Sequence, residues 1–112
     1  IRINNLKAET LIGAYPAERK AKRKVRLDLV IDYDATVAAS TDKLEDALDY
    51  AAIEKVIITA LPKQKFHLIE SLASYVAHTI LAIERVRAVT VTLDKAGALE
   101  NADSVSVECS LS

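Results

Sequence analysis

Hydrophobic residues first recur along the chain at every second position. Ile1, Ile3 and Leu6 open such a pattern, and a second runs through Val25, Leu27, Leu29, Ile31 and Tyr33, with Arg26, Asp28, Asp32 and Asp34 between them. Period-two alternation predicts two strands. Gly13 and Pro16 interrupt it, so residues from about 12 to 20 read as the connecting loop, and Glu18 sits there. After a polar stretch from Ser40 to Asp46 the period changes. Asp49 is placed to cap a helix in which Ile53, Val56, Ile57, Ala60 and Leu61 recur at helical spacing, and Pro62 marks its end. The pairs Leu68/Ile69, Leu72/Ala73, Val76/Ala77 and Ile80/Leu81 then repeat every four residues, which lays a broad apolar stripe along a second, longer helix. Alternation returns in Val89, Val91 and Leu93 and again in Val105, Val107, Cys109 and Leu111, joined by a loop with Lys95 and Gly97.

The predicted order is strand, strand, helix, helix, strand, strand. Between the apolar positions of the last two strands stand Thr90, Thr92, Ser104, Ser106 and Ser110, so one sheet face meets helices and the other is polar. Four strands covered on one face leave two open edges, which proteins cover or pair with another chain. Two arrangements satisfy the pattern: subunits joined edge to edge into a larger barrel with a wet lumen, or a two-layer sandwich with a solvated face.

Composition narrows the class. At 112 residues, 51% hydrophobic, with two glycines and two prolines, the chain reads as one ordered domain spanning residues 1–112, near the size where burial is limited and partners help. One cysteine, Cys109, cannot form an intrachain disulfide, and no apolar run approaches the roughly 20 residues of a membrane span. A cytoplasmic protein without membrane partners is expected. The first residue is isoleucine rather than methionine, which leaves room for a short preceding segment.

Net charge is −1, but Arg19, Lys20, Lys22, Arg23, Lys24 and Arg26 concentrate six of the 15 basic residues. A solvated loop running into an edge strand accounts for such a run. Of aromatic side chains only Tyr15 is near, so the stacking platforms of a single-strand binder are missing and no nucleic-acid partner is expected.

For chemistry, a metal site is the first possibility to test. His67 and His78 are eleven residues apart on one predicted helix, about 16 Å, too far for one ion bound at about 2 Å. Cys109 has no partner motif, so no metal site is expected within one chain. There is also no glycine-rich phosphate loop, serine nucleophile motif or paired-cysteine motif. What remains is scattered: Glu18 in a loop, Tyr50 at a helix start, Glu70 in the first turn of the long helix and Lys95 after a strand. Taken singly, each has a structural explanation: Glu70 suits the positive end of a helix dipole, Lys95 a turn and Tyr50 a core.

Taken as strings, the segments around these residues resemble the dihydroneopterin aldolase and dihydroneopterin triphosphate epimerase family. Ile12 to Glu18 (IGAYPAE) resembles its first loop, which ends in a functional glutamate, and Asp46 to Tyr50 (DALDY) its catalytic tyrosine segment. Phe66 to Glu70 (FHLIE), followed by Leu72 and Ala73, resembles its pterin-anchoring segment, and Leu93 to Leu99 (LDKAGAL) its catalytic lysine loop. The four occur in order over nearly the whole chain.

The resemblance implies an α+β tunnelling fold, β-β-α-α-β-β, with a four-stranded antiparallel sheet and two helices on one face. Four subunits would close a barrel, and two such rings would stack as a homo-octamer with active sites between subunits. It also implies a metal-independent enzyme without cofactor, acting on a small dihydropterin. Glu70 would hold the ring, flanked by Leu48 and Ile69, while Lys95 and Glu18 would serve proton transfer and Tyr50 would enter from a neighbouring subunit. Within the family, Tyr15 and Gly97 lean towards the aldolases, which yield 6-hydroxymethyl-7,8-dihydropterin and glycolaldehyde. The segments Ile1 to Leu6, Asp46 to Leu48 and Ala102 to Val107 lean towards the triphosphate 2'-epimerases, and Ala96 departs from the proline usual after the aldolase lysine. The aldolase reading is taken first and the epimerase second. A catalytically silent, ring-forming pterin-binding protein is the alternative from another class.

Overall fold

A computed structural model describes all residues from 1 to 112. The first two strands, β1 (Arg2–Ile12) and β2 (Arg23–Asp32), pair antiparallel, and β2 also pairs with β4 (Ala88–Ala96), which pairs with β5 (Ser104–Leu111). The helices are α1 (Thr36–Thr41), α2 (Tyr50–Ala60) and α3 (Ile69–Leu81). The alternating residues do what their period requires: Val25, Leu27, Leu29 and Ile31 of β2 and Val89, Val91 and Leu93 of β4 are all buried. In register, Leu27 sits opposite Leu6 on one side and Leu93 on the other.

The helices close this face. On α3 the stripe Leu72, Ala73, Val76, Ala77 and Ile80 is buried, and the helix lies over β4 and β5, with the alanines permitting close approach. On α2, Ile53 and Ile57 are buried and the helix packs towards β1. Asp49 caps α2 as expected, accepting from the backbone N–H groups of Ala51 and Ala52 at 3.1 and 3.2 Å. The helix ends at Ala60, where a single 3-10 turn (Leu61–Lys63) contains Pro62.

Four features differ from the sequence expectation. The sheet has five strands, not four: β3 (Lys65–Phe66) runs parallel to β1 at Leu11 and Ile12, giving the order β3-β1-β2-β4-β5. Two residues are too few for a period to show. A short helix, α1, follows β2 and stops at Asp42, which adopts a left-handed conformation (φ 58°). The basic run enters β2, an interior strand and not an edge. His67 precedes α3, so the two histidines do not share a helix.

The odd spacing from Ile3 to Leu6 also has a cause. A bulge shifts the register there, Asn5 takes φ 58°, and its N–H donates to Asp28 Oδ1 at 2.7 Å. Both apolar residues thereby face the helices. The opposite face carries polar cross-strand pairs, Arg26 with Asp94 and Thr90 with Ser110.

Coverage is incomplete at one end. Val105, Val107, Cys109 and Leu111 of β5 are only half-buried, and no strand pairs with its outer side. The radius of gyration, 15.2 Å, exceeds the value of about 13 Å for a compact chain of this length. No helix is long and apolar enough to cross a membrane.

Truncating the centre of the sheet should be costly. Leu27→Ala is expected to lower unfolding free energy by about 3 kcal/mol and Asp49→Ala, which removes a cap, by about 1 kcal/mol. Urea denaturation at one fixed protein concentration measures both, and equal effects would contradict the assigned core.

Candidate active site

The site begins where β1 ends. Gly13 donates its N–H to the Phe66 carbonyl at 3.1 Å, tying the strand end to β3. A Cβ on Gly13 would lie 2.2 Å from Cβ of Glu18 and 2.9 Å from its Cδ, so only glycine lets the loop fold this side chain back. Pro16 opens a 3-10 turn (Pro16–Lys20), and the Tyr15 N–H donates to Glu18 Oε1 at 3.2 Å. The Arg19 guanidinium donates to the Gly13 carbonyl, and Arg23 Nε donates to the Glu18 carbonyl at 3.0 Å.

Lys95 arrives from the far end of the chain. It lies near the end of β4, opposite Val105, two residues beyond buried Leu93 and therefore on the helix side of the sheet. Its Nζ donates to Glu18 Oε2 at 3.1 Å, with side-chain exposures of 14% for the lysine and 30% for the glutamate. The hydrogen bond from Lys95, then that from the Tyr15 N–H, holds the Glu18 carboxyl below the ordinary glutamate range.

This ion pair borders a cavity of about 230 Å³ whose wall also contains Glu70, Ile12, Tyr15 and Ile69. Glu70 is exposed in the first turn of α3, and its carboxylate makes no hydrogen bond or ion pair within the chain. The cavity therefore presents a free carboxylate, a carboxylate–ammonium pair and apolar walls. Such a set suits a flat heterocycle with an N–H edge that reacts by proton transfer.

Of the residues expected at the site, Glu18, Glu70, Lys95 and Ile69 come together. Leu48 and Tyr50 do not reach them within one chain. Leu48 is buried and borders a separate hollow of about 260 Å³ with Ile53 and Ile83, and Tyr50 is 64% exposed at the start of α2. His67 lines the cavity and is exposed. Residue reading passed over Tyr15, Ala98 and Val105 as cavity walls and Gly13 as the position that admits Glu18. Only the interruption of alternation at Gly13 hinted at the last. No group of three or more His, Cys, Asp or Glu side chains is arranged to hold a metal ion.

The family model described as FolB, dihydroneopterin aldolase, matches residues 1–110. The chain belongs to this family. A dihydroneopterin triphosphate 2'-epimerase of Pseudomonas aeruginosa is 34% identical over 107 residues, covering 96% of this chain and 87% of its own. A dihydroneopterin aldolase of Escherichia coli is 32% identical over 105 residues, covering 94% and 86%. The crystal structure of the E. coli aldolase in complex with neopterin superposes with a TM-score of 0.94 at 30% identity, covering 100% of this chain and 97% of that one. The FolB fold thus extends over both ends of the cavity described above.

The ion pair sets a pH response. Because Glu18 titrates below its ordinary value, the stabilisation from the pair is fully present above about pH 4.3 and is lost as pH falls through the depressed value. Lys95→Met should raise the Glu18 pKa towards the ordinary value. Carboxyl chemical shifts followed through an acid titration test this, and an unmoved Glu18 would mean that Lys95 is not its partner in solution.

Proposed function

We propose that this chain cleaves 7,8-dihydroneopterin by retro-aldol chemistry, giving 6-hydroxymethyl-7,8-dihydropterin and glycolaldehyde, and inverts C2' when the aldehyde re-adds. The observation that carries the reading is the single cavity holding Glu18, Lys95 and Glu70 in a FolB chain. The dihydropterin ring contains an imine beside the side chain. Once protonated, it accepts the electron pair released when C1'–C2' breaks, so the substrate is its own electron sink and no Schiff-base lysine is needed.

Glu70 accepts two hydrogen bonds from the amino and amide edge of the ring, with Ile69 and Leu48 against the ring faces. Lys95 gives and takes protons through water, and Glu18 orients the side-chain hydroxyls and that water. Tyr50 exchanges the proton between the departing oxygen and the enol intermediate. Since Tyr50 and Leu48 lie away from the cavity of their own chain, a neighbouring subunit supplies them. The free edge of β5, its half-buried apolar row and the extended shape support a homo-oligomer of four or eight chains. The unpaired Cys109 suits a cytoplasmic setting.

A second reading, the triphosphate 2'-epimerase, is favoured by the 34% identity to an epimerase. The same residues serve both outcomes. Their presence together weighs against a silent pterin-binding protein.

Glu70→Gln points an amide donor at a ring donor and should weaken binding by roughly 2 to 4 kcal/mol, seen mainly as a raised KM. Lys95→Ala should lower kcat by roughly 100 to 10,000-fold with KM little changed. Tyr50→Phe should lower kcat and change the ratio of cleaved to epimerised product. Steady-state kinetics with product chromatography reads all three, and near-normal turnover in Lys95→Ala would overturn the assignment. Light scattering should find four or eight chains, and an active monomer at micromolar concentration would remove the neighbouring subunit from the mechanism.

A further inference from the structure

A basic hollow beside the site is not used by the chemistry above. Lys22, Arg23 and Lys24, where the loop enters β2, line a cavity of about 510 Å³ together with Glu18, Lys95 and Gly97. Glu18 and Lys95 also line the 230 Å³ cavity, so their ion pair is a wall common to both. On one side lies the slot with Glu70. On the other lie three cations that form no ion pair, facing the single carboxylate of Glu18.

Glu18 is already committed to Lys95, and Lys22 and Lys24 form no ion pair. Glu9 stands opposite Lys24 in the strand register but does not bridge to it. Arg23 is held in place by its bond to the Glu18 carbonyl, which joins the hollow mechanically to the catalytic loop. Three like charges around one cavity repel, and a bound polyanion relieves that repulsion.

We infer that this hollow binds the phosphate chain of a side-chain-phosphorylated dihydropterin, an inference that rests on the ring placement proposed above. With the ring against Glu70 and C1'–C2' at the ion pair, the shared wall of Glu18 and Lys95 would leave the C3' oxygen a path from the slot into the basic hollow. Phosphates on that oxygen begin where the cations begin.

The consequence is chemical as well as selective. When C1'–C2' breaks, the C2' hydroxyl gives up its proton, C2' becomes an aldehyde and the electron pair passes into the ring. An unphosphorylated aldehyde has only weak contacts and leaves. A phosphorylated one stays tethered at Lys22, Arg23 and Lys24 and re-adds to either face of C2', reversing the same steps with the same atoms. The hollow thereby shifts the outcome from cleavage to inversion for phosphorylated substrate.

The test is the double variant Lys22→Gln/Lys24→Gln, whose positions are exposed and outside the core. Wild type and variant are compared on 7,8-dihydroneopterin and on its triphosphate, with cleaved and inverted products resolved. The ratio of kcat/KM for triphosphate to that for the unphosphorylated compound should fall about 10 to 100-fold, and the cleaved fraction from triphosphate should rise. An unchanged ratio with an unchanged product partition overturns the inference. Calorimetric binding of inorganic tripolyphosphate separates this from failure of the proposed function. If wild type turns over neither pterin, the proposed function fails and the calorimetry alone decides. Binding lost in the double variant then upholds the anion site, and equal binding in both proteins, or none in wild type, overturns it.

Discussion

Leu27 on β2 is closed in by Leu6 of β1 and Leu93 of β4, all three buried, and strand pleat propagates from that contact. Alternation leaves no freedom once Leu93 is turned towards the helices. Asp94 must face the other way and pair with Arg26, and Lys95 must face the helix side again, where the sheet runs out and the β1–β2 loop begins. A slip of one residue between β2 and β4 would bury Asp94 and send the ammonium to the opposite face. The position of Lys95 is thus a by-product of core packing, fixed by the buried centre of the sheet.

The long elements were legible because each has many periods to average over. The stripe from Leu68 to Leu81 and the alternations around Val25–Tyr33 and Val89–Leu93 each place several residues on one side, and most became core, while Leu68 stays exposed and Tyr33, Ile69 and Leu81 pack at its margin. The failures share a cause in brevity. Two residues of β3 and six of α1 hold too little pattern to register, and whether a strand is interior or edge depends on pairing, which no local period encodes. The basic run was misplaced for that reason.

The site was legible only as separate strings. Residue type and spacing left Glu18, Tyr50, Glu70 and Lys95 unconnected, and family resemblance supplied their relation. Glu18 and Lys95 are 77 positions apart, and their contact depends on the β2–β4 register and on a missing Cβ at Gly13, neither of which either residue announces. Composition was equally silent about the basic hollow, since charges in a loop look alike whether they face bulk water or a cavity.

The two-residue β3 has an effect out of proportion to its length. By occupying the flank of β1 at Leu11 and Ile12, it leaves only the preceding part of that strand free, while β5 is free along its whole outer side. The two borders of the sheet are therefore unlike. A two-fold pairing of like borders would have to match a blocked strand with a blocked strand, or leave an open border at each end. Head-to-tail addition meets no such conflict, and in the oligomer proposed above β3 would stop an incoming strand at one stagger. In a closed sheet, stagger and strand number together set the strand tilt and the diameter. A segment too short to be seen as a strand would in this way fix the offset between neighbours in the proposed ring.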